Sequence, residues 1–203
     1  MSDRSMHLIA EKCILVFERL NLRERAFRMR AIKETKVISM PTRVILHDLD
    51  SQYDAMMESR CDHVISADGK YAPCQGCFGC WTKHPAECFM KDKLKQACRI
   101  IGHADELVII TKNLYGEYSA AVKNVLDRSI GTSTPFSTYR GRQMHHTLRY
   151  GKHDLWKVIV YGEISEEEKA TFRYLAERNA VNDGYARSEV LFIQELSELE
   201  ALL

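Results

Sequence analysis

Cys74, Cys77, Cys80 and Cys88 stand within 15 residues in a C-x2-C-x2-C-x7-C array, the densest run of chemically active side chains in the chain. Gly76 and Gly79 lie between the first three. Glycine reaches positive φ without steric cost, so a short loop there can turn tightly enough for thiolates two residues apart to face one centre. Four such sulfurs suit a 4Fe-4S cluster or a tetrahedral zinc ion, and the triple run favours iron and sulfur, since zinc sites usually pair two C-x2-C hairpins. The array also reads as an unmetallated thiol loop, with Cys74 and Cys77 packed beneath it or two of the four forming a labile redox pair. The other cysteines, Cys13, Cys61 and Cys98, read as ordinary buried thiols.

A second constellation runs Thr111-Lys112-Asn113-Leu114-Tyr115-Gly116-Glu117-Tyr118-Ser119, followed by Lys123, Leu126, Asp127 and Arg128 on a helix. An aromatic and a glycine at a strand end let a flat ring approach the backbone, and the helix N-terminus that follows favours negative charge. Tyr115 also reads as a plain loop aromatic, and Asp127 with Arg128 as a surface or interface ion pair. The stretch from Thr132 to His153 is rich in Arg, His and Tyr, with Gly141 and Gly151 at turns, and reads as a substrate lid or a partner surface. Adjacent His145 and His146 read as solvent-exposed, and Trp81, Trp156 and Phe136 as packing residues.

The elements that position these groups follow from short apolar runs. Val44 to His47, His63 to Ser66, Leu107 to Thr111, Trp156 to Tyr161 and Glu189 to Ile193 are the five strand candidates. Most lack strict alternation, as strands buried on both faces do, and helices over Lys93 to Ile101, Ser119 to Ser129 and Ser165 to Asn179 separate them. Ser165-Glu166-Glu167-Glu168 is a capping-box pattern. The fold class is therefore α/β, a three-layer sandwich around a five-stranded parallel sheet. Functional groups in such sheets lie at the C-terminal strand ends, after His47, Ser66, Thr111 and Tyr161.

The chain has 203 residues with 29 Lys+Arg against 28 Asp+Glu, a formal charge of +1 that excludes a disordered polyelectrolyte and argues against whole-surface nucleic-acid binding. At this length folding hides roughly 70% of the unfolded surface, so no disulfide staples are needed. Residues 1 to 36 carry nine Lys/Arg and five Asp/Glu, net +4, leaving net −3 for the rest. That segment has neither Gly nor Pro, and Cys13, Val16, Phe17 and Leu20 recur at helical spacing. Residues 1–39 are accordingly expected to be a helical extension, either an added helical arm or an upstream extension absent from the native product, and residues 40–203 the α/β domain. The longest apolar run near the start, Cys13 to Phe17, is too short for a signal core or a membrane span. Clustered cysteines without a disulfide framework point to a reducing compartment, so a cytoplasmic protein with no membrane association is expected.

With the two constellations in order along the chain, the sequence resembles the flavodoxin-like NAD(P)H-dependent FMN reductases and, within them, the iron-sulfur flavoproteins. The shared features are a Pro-Cys-x-Gly-Cys-x-x-Cys-Trp loop at Pro73 to Trp81, the later Cys88, Ala104-Asp105 before the third strand, and a Tyr/Gly/Ser loop with Lys123 and Leu126-Asp127-Arg128. Here Tyr115 and Gly116 are adjacent, a one-residue departure from Tyr-x-Gly. The resemblance implies a flavodoxin-like sheet of order 2-1-3-4-5 and FMN across its C-terminal strand ends. It implies NAD(P)H as co-substrate and electron transfer to a small-molecule or protein acceptor. It also implies a homo-oligomer, dimer or tetramer, or pairing with another chain of the fold. By the same resemblance Asn113, Leu114, Tyr115, Gly116, Tyr118 and Ser119 border the flavin, and Cys74, Cys77, Cys80 and Cys88 ligate the possible 4Fe-4S cluster.

The segment after the first strand departs from that pattern. The family holds the FMN phosphate in a Gly-Ser loop that opens a long helix, whereas here the chain reads Asp48-Leu49-Asp50-Ser51-Gln52-Tyr53, without glycine. A phosphate would face two carboxylates, a repulsion on the order of 1 kcal/mol or more per pair. Two expectations follow: a flavin held differently, with its phosphate near Arg140, Arg142 or Arg149, or a cofactor-free binding or regulatory subunit of the same fold whose basic arm recruits a partner.

Overall fold

The computed structural model describes residues 42–203; the readings made for residues 1–39 lie outside the described residues. Apolar β-branched runs make the strands. β1 (Arg43–His47), β2 (His63–Ser66), β3 (Glu106–Lys112), β6 (His153–Tyr161) and β7 (Tyr185–Ile193) form one parallel sheet in the order β2-β1-β3-β6-β7. With β4 (Ser133–Arg140) and β5 (Gln143–Leu148) forming a separate antiparallel hairpin, this is the 2-1-3-4-5 order of a flavodoxin-like sheet. All five strands fall where the sequence places them, the last two starting a few residues earlier.

Both faces of the sheet are buried, which is why its central strands do not alternate in polarity. Val44, Leu46, Leu107, Ile109, Trp156, Val158 and Val160 face one core, closed by α2 (Ala97–Gly102), α3 (Ala120–Arg128) and α4 (Glu166–Asp183). Ile45, Val108, Ile110, Ile159 and Ile193 face the other, covered by the short α1 (Asp54–Glu58) through Met57 and by α5 (Leu199–Leu202) through Leu199. At about 25 cal/mol per Å² of apolar surface, these interlocked faces supply the main driving force for folding.

Two helix starts carry side-chain caps, the first of them predicted. Ser165 accepts from the Glu168 amide and the Glu168 carboxylate accepts from the Ser165 amide, completing the capping box of α4. Ser119 caps α3 through the Val122 amide. The helix expected from Lys93 begins only at Ala97, after a run of turns. The hairpin has no counterpart among the predicted elements: Thr132 to His153 is ordered as two strands joined at Gly141-Arg142, where Gly141 takes φ +60° at the first central position of the turn. Among the described residues no helix is long and apolar enough to cross a membrane.

Candidate functional site

The C-terminal strand ends carry an open cavity of about 660 Å³. His47 ends β1 fully buried, and the next residue, Asp48, reaches across the sheet. One Asp48 oxygen accepts from the Lys112 amide at 3.0 Å and the Thr111 hydroxyl at 3.2 Å, and the other accepts from the Tyr161 hydroxyl at 3.1 Å. Thr111 in turn accepts from the Ser119 amide at 2.9 Å, so the start of α3 is tied into the same network. A carboxylate thus holds together the ends of β1, β3 and β6 and takes up donors facing the crevice. Burial, reinforced by the Asp48 charge, pushes the Tyr161 phenol above its usual range.

The same cavity is lined by Asp50, Asp54 and Asp68 as well as Asp48, against Lys70 and Lys112. Lys93 is paired with Asp68. The loop after β1 is a 3-10 turn, Ser51–Tyr53, leading into a five-residue helix, so the chain directly after β1 offers no long-helix N-terminus to an anion. The residues present do not fit an FMN phosphate. Nor do the arginines expected from sequence supply a substitute. Arg140 donates to the carbonyls of Val181, Asn182 and His146, and Arg149 to those of Gly131 and Ser133, so both clamp the hairpin. Arg142 lies exposed in the hairpin turn.

The predicted ring-binding residues divide. Leu114 and Glu117 exchange backbone hydrogen bonds across a tight turn whose central residues, Tyr115 and Gly116, have φ +55° and +80°. Positive φ is strained for tyrosine, yet its side chain is 87% exposed, an aromatic held outward on a strained backbone. Asn113 fixes the turn, donating to the Glu163 carbonyl at 2.9 Å and accepting from the Gly116 amide at 3.0 Å. Gly116 has no room for a side chain, since a β carbon would stand 3.1 Å from the Glu168 carbonyl oxygen. Its amide is already engaged, so its role is close packing on α4. Tyr118 turns inward, 1% exposed and edge-on to Phe172, its hydroxyl accepting from Trp156 and Asn179 at 3.3 Å each. Burial pushes its phenol up to about 12. Of the six, Leu114 and Tyr115 are exposed, Asn113 and Gly116 shape the turn, Ser119 caps a helix and Tyr118 belongs to the core.

The cysteine loop is anchored from below by Arg128. Its guanidinium is fully buried, makes a two-pronged pair with Asp92 at 2.6 and 2.7 Å, and donates to the Ala72 carbonyl at 2.9 Å. Arg128 is therefore an internal tie rather than one half of a surface pair; its neighbour Asp127 pairs with Lys123. Cys74, Cys77, Cys80 and Cys88 all border one cavity of about 20 Å³, with Phe78, Phe89 and Met90. Among the described residues, however, no three or more Cys, His, Asp or Glu side chains converge as a metal-holding group. Cys77 is exposed and accepts from the Gly79 amide, while Cys80 turns toward Cys98. As placed, the four sulfurs border that cavity without forming such a group. The Cys98 contact favours the Cys80 thiolate, and Cys80 together with burial disfavours ionisation of Cys98. Sequence alone reads Cys98 as an ordinary thiol; its helical position, 18 residues beyond Cys80, carries no local signal of the contact.

Beside the loop, the hairpin, α3 and α4 enclose a cavity of about 390 Å³ lined by Phe78, Trp81, His146, Trp156, Asn179 and Asp183 among others. Trp81 makes tilted ring contacts with Phe78 at 5.0 Å and with His146 at 4.6 Å. His145 and His146 are therefore half-buried against the loop and α4 rather than solvent-exposed, whereas Phe136, expected to pack, points outward because its strand covers nothing on that face. Burial pushes the Asp183 carboxyl up to about 6.

No protein-family model matches the chain, and no curated protein does. Solved structures do resemble it. An FMN-dependent NADH-azoreductase from Bacillus anthracis, in complex with FMN, superposes with a TM-score of 0.49 at 12% identity, covering 80% of this chain and 93% of that one. An NAD(P)H:quinone oxidoreductase from Methanothermobacter marburgensis gives 0.45 at 13% identity over 81% and 93% of the two chains. An NADPH-quinone reductase from P. pentosaceus gives 0.45 at 13% identity over 80% and 93%. Likeness of this degree transfers no activity, and the flavodoxin-like assignment rests on the strand order itself.

Proposed function

We propose that this chain is an NAD(P)H-dependent flavin oxidoreductase in which the flavin is an exchangeable substrate rather than a resident FMN. The observation that carries the proposal is the Asp48 carboxylate, locked by Thr111, Lys112 and Tyr161 where a resident FMN would need phosphate donors. The flavin, when bound, accepts hydride from NAD(P)H and passes the electrons to a small-molecule or protein acceptor. The chain's own part is to offer an outward aromatic, Tyr115, on a turn set by Asn113, beside open cavities of about 660 and 540 Å³ at the strand ends. Stacking on an exposed aromatic recognises the ring and not the phosphate. The chain works in the cytoplasm, where its thiols stay reduced.

The test is flavin content on isolation, followed by steady-state oxidation of NADH and NADPH with added flavin. The proposal expects protein isolated without stoichiometric FMN that turns over NAD(P)H when riboflavin or FMN is supplied. Tightly held FMN at one per chain overturns it. A second reading, a cofactor-free subunit that pairs with a flavoprotein of the same fold, is favoured by the hairpin, which exposes Phe136, Tyr139 and Met144 at 73%, 75% and 66%. Absence of any flavin-dependent turnover, with formation of a stable mixed complex, selects that reading instead.

A further inference from the structure

The cysteine loop and α2 bring Cys80 and Cys98 together, and Gly131 shows how closely. A β carbon built on Gly131 would lie 2.8 Å from the Cys98 sulfur and 3.1 Å from the Cys80 β carbon, so both cysteines press on one glycine-sized recess. Their exposure is unequal. Cys98 is fully buried and its thiol donates to the Arg128 carbonyl at 3.2 Å. Cys80 is half-buried and borders the same cavity as the exposed Cys77 and Phe78. Arg149, fixed by hydrogen bonds of 3.0 Å to the Gly131 carbonyl and 3.4 Å to that of Ser133, holds a positive charge behind the pair. One sulfur open to a reactant, a second enclosed behind it and a fixed cation nearby are the parts of an attacking and a resolving thiol.

We propose that Cys80 and Cys98 form a dithiol–disulfide couple whose substrate is a low-molecular-weight disulfide, with Cys80 attacking and Cys98 resolving. The Cys80 thiolate forms a bond to one sulfur of the substrate and the substrate's S–S bond breaks, releasing its other half as a thiolate. Cys98, giving up its proton, then bonds to the Cys80 sulfur and breaks the mixed disulfide, releasing the second half. The two cysteines are oxidised by two electrons, the substrate is reduced to two thiols, and the protons of Cys80 and Cys98 end on those thiols. The couple does not depend on a flavin and stands or falls separately from the reading of the strand-end crevice.

The experiment incubates reduced full-length protein with oxidised glutathione, quenches with acid, blocks free thiols and maps the linked peptides by mass spectrometry. The expected first intramolecular product joins Cys80 to Cys98, with only a transient glutathione adduct on Cys80. In Cys98→Ser that adduct persists, at least tenfold more abundant at the same time point than in the parent chain. Cys98→Ala provides the same readout if serine at the buried position impairs folding, and mapping of the parent needs no variant. A first bond from Cys80 to Cys74, Cys77 or Cys88 overturns the proposal, as do glutathione adducts that collect on Cys77 while Cys80 and Cys98 stay free. Iron or zinc present in the isolated protein and lost in Cys80→Ser overturns it as well.

Discussion

Replacing Asp48 by asparagine tests the crevice at the residue that defines it. The substitution removes one negative charge while keeping an oxygen that can still accept from Lys112 or Thr111. Two unit charges 4 Å apart interact by about 1 kcal/mol in bulk water and by about 4 kcal/mol at an effective dielectric of 20. The cavity is open, so the lower figure applies, and a flavin phosphate carries nearly two charges at neutral pH. Losing the Asp48 charge is therefore expected to improve FMN binding by about 1–2 kcal/mol, roughly fivefold to thirtyfold. Riboflavin, with no phosphate, should change by less than about twofold on the same reasoning. Fluorescence titration of the two flavins on parent and variant measures both. Tyr161→Phe is the control: it removes a hydroxyl that donates to Asp48 but leaves the charge, and should not alter the preference between flavins. In Asp48→Asn the new side-chain NH2 group must also face one of the former donors, which costs about 1–3 kcal/mol of stability, read from denaturation without ligand. If Asp48→Asn shifts both flavins equally, this carboxylate does not repel the phosphate.

Other substitutions probe the supports. Arg128→Ala leaves Asp92 without its cation beneath the cysteine loop and should cost about 3–5 kcal/mol in urea unfolding; a loss under about 1 kcal/mol would show that the tie is dispensable. Tyr115→Gly relieves a positive-φ tyrosine and should stabilise the protein by about 1 kcal/mol while weakening riboflavin binding, a pair of opposite signs that simple unfolding cannot mimic. Gly131→Ala forces a methyl against Cys98 and Cys80 and should destabilise by about 1–3 kcal/mol while slowing formation of their disulfide. Burial holds His47 and His153 below the usual histidine value of 6.5, so the unfolded chain takes up protons first and stability should fall as pH drops through that value. Asp183, raised to about 6, acts oppositely, gaining stability as pH falls through its folded value. Thermal melts between about pH 5 and 8, roughly 1.5 units either side of that histidine value, should therefore show a shallower acid loss in His47→Gln and a steeper one in Asp183→Asn.

Much of the fold was legible because strands buried on both faces write themselves as compact apolar runs. Val44-Ile45-Leu46 and Leu107 to Ile110 leave no other low-energy placement, and Ser165 with Glu168 marks a helix start by hydrogen-bond chemistry alone. The hairpin was less legible because Ser133–Arg140 and Gln143–Leu148 are mostly exposed, so burial imprints no pattern on them; Gly141 was the one local signal. The site was partly legible. Composition after β1 already spoke against a phosphate cradle, and the structure supplies the reason in the Asp48 network. What the sequence could not carry was direction: Tyr115 and Tyr118 are three positions apart, yet one points into solvent and the other into the core. Nor does spacing disclose that Arg128 reaches Asp92, or that Cys80 turns to Cys98, because both contacts join segments brought together only by the packing of α2 and α3.

The most direct measurement of the central claim is the ratio of FMN to riboflavin affinity for the parent protein, taken at low and at physiological ionic strength. A crevice filled by a fixed carboxylate predicts FMN binding no tighter than riboflavin, with the disadvantage of FMN shrinking as salt screens the repulsion. FMN binding tenfold or more tightly than riboflavin, weakened by added salt, would mean that the crevice does hold the phosphate and would contradict the account.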